Sequence, residues 1–221
     1  MQPAFYPALP FNAVATAAER KVSFAARGFG TGIDRALDAI EGGATIVMIT
    51  LPPLGYPDDV DRELAELPST IGRRLAEGGA AWAFAGRHLE SSDIGYIDTH
   101  VSSGTLATTA FARSGIKPIF ADTPEVVQGR QAPIIIAKHP LSGRATASSF
   151  DVKSGRLCVM LSRHQLACII VTRVDVDVTL SHYEHDGSER RAGRHDDVWD
   201  GYTAHRTLYD ALKKEHRVFT M

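Results

Sequence analysis

Three short apolar runs constrain what this chain can fold into. They lie at residues 45–50 (TIVMIT), 133–137 (PIIIA) and 167–172 (ACIIVT). All three are rich in β-branched residues, which suit strands. The second and third are apolar at nearly every position, as strands buried on both faces are. Between the runs, apolar residues recur every three or four positions. Ile33, Leu37 and Ile40 form one such series, stopped by Gly42-Gly43. Val60, Leu64, Leu67, Ile71 and Leu75 form another, with Asp58 or Asp59 near its cap. Pro68 falls inside the second series and predicts a kink or a break there. Further strands are expected at 81–85, 94–98 and 118–121. Further helices are expected at 103–113, 156–164 and 202–216. Helices alternating with buried strands predict an α/β sandwich with a mostly parallel central sheet.

Hydrophobic residues are 44% of the chain and charged residues 23%, enough to build a core without leaving a charged, disordered polymer. The net charge of −2 gives no global field toward nucleic acid, so any such binding must be local. No apolar run approaches the roughly 18–20 residues that span a bilayer, so no membrane partner is expected. Residues 1–20 hold no basic segment before their Ala-rich stretches. No secretory leader is therefore expected, and a cytoplasmic location is. Cys158 and Cys168 both sit in apolar runs and read as small buried hydrophobes in a reducing compartment.

Two segments carry a chemical pattern. Residues 122–131 read Asp-Thr-Pro-Glu-Val-Val-Gln-Gly-Arg-Gln, and the 133–137 run and Lys-His-Pro-Leu-Ser-Gly follow. Residues 155–164 read Gly-Arg-Leu-Cys-Val-Met-Leu-Ser-Arg-His and precede the 167–172 run. The pair resembles the fifth and sixth motifs of superfamily 1 helicases. There a Thr…Gln-Gly-x-Glu loop precedes one strand, and a helix ending in Ser/Thr-Arg precedes another. The chain is most similar in this respect to a bacterial group of large helicase-like proteins of the AAA-type ATPase kind. The resemblance covers roughly residues 45–175.

The resemblance implies a RecA-like second domain at residues 43–178. Residues 1–42 would form an N-terminal arm and short helix, and 179–221 a polar loop and closing helix. In such motors ATP lies between two RecA-like domains. The first grips the phosphates and Mg²⁺, and the second inserts an arginine that neutralises charge on the transferred phosphoryl group. By resemblance that arginine is Arg163, and Gln128, Gly129 and Gln131 face the nucleotide. Thr99, His100, Thr123, His139, Ser162 and His164 would touch nucleic acid, with His139 and His164 on one face.

The sequence also departs from the family. Gln131 stands in place of an acidic residue. Val101, in the Ile-Gly-Tyr-Ile-Asp-Thr-His-Val stretch at 94–101, stands where a second phosphate-sensing arginine would be. No Gly-x-x-x-x-Gly-Lys-Ser/Thr occurs, and Arg27-Gly-Phe-Gly-Thr-Gly32 has no lysine. The expected function is therefore the second motor half of a nucleic-acid-dependent ATPase, unable to hydrolyse ATP alone. Its expected partners are single-stranded or duplex nucleic acid and an ATPase half carrying the Walker motifs. ATP and Mg²⁺ would bind only with that half. The alternatives are a non-catalytic module or relic that binds nucleic acid or a helicase, and an unrelated α/β enzyme. His182, His185, Asp186, His195, Asp196 and Asp197 crowd a polar stretch, with Arg190, Arg191 and Arg194 beside them. That stretch reads as a solvated loop, and no metal is expected there.

Overall fold

A computed structural model describes residues 16, 18–24, 31–54, 60–144, 147–182 and 201–221. Six strands form one sheet: β2 (Ile46–Leu51), β5 (Ile94–Ile97), β6 (Phe120–Asp122), β7 (Ala132–Lys138), β8 (His164–Arg173) and β9 (Val218–Thr220). Their order is β6-β5-β7-β8-β2-β9, and every neighbouring pair is parallel. The three apolar runs supply the central strands β7, β8 and β2, as their double-sided burial requires.

Helices cover both faces. On one face, α1 (Gly32–Glu41), α2 (Arg62–Glu77) and α3 (Val101–Arg113) pack on alternate residues such as Val47, Ile49, Ile134, Ile136 and Ile169. On the other, α4 (Ser154–Ser162) and α6 (Gly201–Lys214) pack on Met48, Ile135, Ala137, Cys168 and Ile170. A short helix, α5 (Val176–Ser181), lies in a separate small cluster with Leu141 and Val152. A small antiparallel sheet of β1 (Val22–Phe24), β3 (Ala80–Trp82) and β4 (Arg87–His88) stands beside the main one. Cys168 is fully buried, and burial alone pushes its thiol pKa up, so it is inert packing.

Several local expectations are corrected. Pro68 neither breaks nor splits its helix: α2 is continuous from Arg62 to Glu77. The missing proline N–H costs about 3 kcal/mol. Leu64, Leu67, Ile71 and Leu75 are all buried on the same face, each worth about 1.5–3 kcal/mol, so burial outweighs the proline. The cap of α2 is Asp61, whose carboxylate accepts from the Leu64 N–H at 3.0 Å; Asp58 and Asp59 lie outside the described residues. The 81–85 strand is shorter and earlier, and residues 83–86 turn tightly into β4. The short helix expected before residue 42 is α1. It shares one apolar core with β2, β7 and β8. The polar stretch at 183–200, with His185, His195 and the arginines, lies outside the described residues.

Two glycines are fixed by close approach. A Cβ on Gly32 would lie 2.7 Å from the Thr220 carbonyl oxygen, so the start of α1 can abut the end of β9 only as glycine. A Cβ on Gly95 would lie 2.5 Å from the Phe120 ring and 2.8 Å from Ile135 Cδ1. Gly95 thus lets β6 lie against β5 with Phe120 folded over it. We expect Gly95→Ala to lower stability by about 1–3 kcal/mol, the usual cost of overpacking. The shift should show in the urea midpoint. Phe120→Leu should relieve part of it in the double variant. An unchanged midpoint in Gly95→Ala would refute the packing argument.

Candidate functional site

Parallel pairing gives the sheet two chemically distinct edges. β7 has seven residues, which at about 3.3 Å per residue separates the edges by roughly 20 Å.

At the carboxyl edge a buried polar network crosses the central strands. Asp98, just past β5, is 2% exposed. Its Oδ2 accepts from the Tyr96 hydroxyl at 3.0 Å and from the Ser103 hydroxyl at 2.5 Å. Its Oδ1 accepts from the His100 backbone N–H at 2.9 Å. Lys138, the last residue of β7, is 3% exposed and donates to Ser103 Oγ at 3.0 Å, with Nζ 3.9 Å from Asp98 Oδ2. On the next strand, β8, buried Arg173 grips Asp61 with two nitrogens at 2.7 and 2.9 Å, Glu63 at 2.7 Å and the Pro52 carbonyl at 2.7 Å. These ion pairs raise the guanidinium pKa and hold the Asp61 carboxyl below its usual range despite burial.

The chain leaves β5 toward β6 and leaves β7 in the opposite direction, toward β8. Asp98 and Lys138 therefore flank the point where the winding reverses, the usual place for ligands in open α/β sheets. His100 stands above them. Its Nε2 lies 3.0 Å from Asp151 Oδ1 and its Nδ1 lies 3.0 Å from the Thr99 hydroxyl. The Asp151 carboxyl is itself buried, which raises its pKa. Hydrogen bonds from His100 and Ser148 outweigh that and bring it down to about 2. Ionised, Asp151 can only accept, so His100 Nε2 carries a proton.

Beneath α6, His139 and His205 form a second buried unit. The Leu141 N–H donates to His139 Nδ1 at 3.3 Å, so the other nitrogen, Nε2, carries the hydrogen. It donates to His205 Nδ1 at 3.2 Å, which leaves the hydrogen of His205 on Nε2, an atom with no partner among the described residues. Burial is the main cause depressing both rings' pKa values, that of His205 to about 4.

At the amino edge the two motif-like segments meet. The loop after β6 turns on bonds from the Val126 and Val127 N–H groups to the Thr123 carbonyl, both at 3.1 Å. It leaves Gln128, Gly129 and Gln131 exposed, with Gly129 at φ +86°. The Ala132 N–H donates to the Arg163 carbonyl at 3.1 Å, and Ala132 pairs with His164 across β7 and β8. Arg163 caps α4 in a half-buried position. Its guanidinium donates to its own neighbour, Ser162 Oγ, at 2.8 and 3.2 Å.

The expected site residues thus sort by edge. Gln128, Gly129, Gln131, Ser162, Arg163 and His164 gather at the amino edge. Thr99, His100, Thr123 and His139 lie toward the carboxyl edge. The expectation that His139 and His164 share a face does not hold. His139 directly follows β7 and His164 begins the parallel β8, so pairing places them at opposite edges. His139 is also 1% exposed and cannot reach a nucleic-acid strand. Val101 opens α3 on the carboxyl side and is exposed, away from Arg163. Sequence reasoning missed Asp98, Lys138, Asp61 and Arg173. The available signal was a charged residue directly ending an apolar strand, at Lys138 after PIIIA and at Arg173 after ACIIVT. Among the described residues no group of three or more His, Cys, Asp or Glu is arranged to hold a metal ion. Among them, too, no helix is long and apolar enough to cross a membrane.

No protein-family model matches the chain, and no curated protein is detectably similar to it in sequence.

The histidine pair makes stability pH-dependent. The rings are held neutral in the fold, whereas unfolded histidine titrates near 6.5. Between that value and about 4 the unfolded chain binds protons that the native chain refuses, so stability falls as pH drops through this window. For His205 alone the loss is about 3 kcal/mol on completion. Asp151 contributes in a separate, lower window, between about 4 and 2. We expect urea midpoints to decline steadily from pH 7 to pH 4.5. A flat profile over that range would rule out the neutral buried pair.

Proposed function

We propose that this chain is the second half of a nucleic-acid-dependent, helicase-type ATPase motor with a RecA-like fold. The carrying observation is the convergence at the amino edge. Gln128-Gly129-x-Gln131 and Ser162-Arg163 are more than thirty residues apart in sequence, yet the Ala132–Arg163 backbone bond joins them. The six-stranded parallel sheet between two helix layers is the architecture such a half requires.

The residues at this edge fit the outer side of a nucleotide. They offer one guanidinium and two side-chain amides. The sequence has no Gly-x-x-x-x-Gly-Lys-Ser/Thr, so the phosphate grip and the Mg²⁺ ligands belong to another unit. ATP bound there would supply the phosphoryl group, and Arg163 would neutralise charge developing on it. Among the described residues Arg163 forms no ion pair; its only side-chain partner is neutral Ser162. Turning it toward an anion gives up neutral hydrogen bonds worth about 0.5–1.5 kcal/mol each. Gln128 and Gln131, both exposed, would orient against the nucleotide through their amides. Ser162 and His164 share this edge with Arg163, so any strand contact they make lies beside the nucleotide.

The test uses the purified chain, a labelled single-stranded DNA or RNA oligonucleotide, and ATP with Mg²⁺. Fluorescence anisotropy should report saturable binding that weakens as salt rises, because phosphate contacts release counterions. No ATP turnover should occur in the chain alone. Arg163→Ala should leave oligonucleotide binding and thermal stability unchanged. Failure to bind any oligonucleotide, or turnover by the chain alone that Arg163→Ala abolishes, would each overturn the proposal.

A further inference from the structure

A cleft of about 280 Å³ opens at the carboxyl edge between α3 and the ends of β5 and β6. It lies across the sheet from Arg163, and the inference drawn from it does not depend on the motor reading. Its polar side chains have already spent their hydrogens inside the protein. The Thr105, Thr108 and Thr109 hydroxyls each donate to the backbone carbonyl four residues earlier, all at 2.9 Å. The Tyr96 hydroxyl donates to Asp98, and His100 Nε2 is engaged with Asp151.

What these side chains still offer a ligand is lone pairs. The threonine oxygens turn only acceptor capacity outward. Asp122, exposed at the end of β6, uses Oδ1 to accept from the Thr123 N–H at 2.8 Å. Asp122 lines the cleft, and among the described residues its Oδ2 takes no hydrogen bond. Asp98, at the back, has Lys138 beside it; Asp122 has no ion-pair partner among the described residues. Among the described residues no lysine or arginine lines the cleft. The first free amide at the start of α3, that of His100, already faces the Asp98 carboxylate. A phosphate would meet the Asp98 and Asp122 carboxylates and spent hydroxyls, with only the remaining first-turn amides of α3 to offset them. An N–H-rich cation would meet one unpaired carboxylate and a row of acceptors. Val101, Ala121 and the threonine methyl groups give its carbon stem an apolar wall.

We propose that this cleft binds an organic cation with several N–H donors, an alkylguanidinium or alkylammonium. Two sources share that chemistry: a free polyamine, and an arginine or lysine side chain of a polypeptide. Asp122 is the charged anchor, and Thr105 and Thr108 orient the donors.

The test is ¹H–¹⁵N NMR on the whole chain, titrated with agmatine, with N-acetyl-arginine methylamide, with spermidine and with inorganic phosphate. The cations should shift the amides of residues 101–109 and 121–123 saturably, and phosphate should not. Asp122→Asn keeps the acceptor of the Thr123 N–H, so the fold should survive, as an otherwise unchanged spectrum will show. That variant should bind agmatine at least about tenfold more weakly, as loss of a charge-assisted hydrogen bond implies. Thr105→Val should weaken it less. Tighter binding of spermidine points to a free polyamine, and tighter binding of the arginine amide to a polypeptide. No saturable shift with any cation, equal affinity in Asp122→Asn, or equal shifts with phosphate would overturn the proposal.

Discussion

The parallel pairing of β7 with β8 organises everything else in this molecule. Both strands are buried on both faces, so their register is held by packing rather than by a turn. Parallel direction forces the segments entering the two strands to one edge and the segments leaving them to the other. Gln131 and Arg163 enter, so they become neighbours. Lys138 and Arg173 leave, so they join the opposite edge. An antiparallel arrangement of the same residues would have scattered both sets.

The carboxyl edge then carries a cost that the fold offsets locally. Asp98, Lys138, Asp61 and Arg173 are each at most 3% exposed. Desolvating such groups costs several kcal/mol per ion, and mutual attraction returns it only when every remaining donor and acceptor is used. That condition is nearly met. Asp98 accepts three hydrogen bonds beside its ammonium neighbour. Arg173 donates to two carboxylates and a carbonyl. Asp61 also caps α2, so one carboxylate fixes both the start of a helix and the end of a strand. Removing one partner of such a pair would leave an uncompensated buried charge, at a cost of about 3–5 kcal/mol. Among the described residues the separate histidine pair is less complete, since the buried His205 Nε2 finds no partner.

The sequence made the central strands and most helices legible because their signals are local. β-branched runs and three-to-four spacing follow from side-chain shape and burial alone. β9 was not legible. Val218–Thr220 is three residues long, and its pairing with β2 rests on Gly32 letting α1 abut Thr220. Nor was the persistence of α2 through Pro68, which depends on an apolar stripe whose burial only the assembled core provides. At the site, the amino-edge convergence was implied by resemblance in sequence order. The charged network was not, since Asp98, Asp61 and Arg173 lie far apart along the chain and become partners only through strand order. His139 and His164 show the limit from the other side. Both are histidines at strand ends, and only knowing which end belongs to which edge separates them.

The two edges also differ in the charge they present. The amino edge offers Arg163 with a neutral partner and the exposed amides of Gln128 and Gln131, a surface suited to anions. The carboxyl edge keeps its cations inside ion pairs and turns Asp122 and spent threonine hydroxyls outward. In a sheet of parallel strands the helix dipoles would favour the reverse, since α3 points its positive N-terminus toward the carboxyl edge. Asp98 and His100 resolve the conflict, because the carboxylate already occupies the amide at the head of α3. The residue that completes the buried network is thus also the one that sets a negative charge against the head of α3.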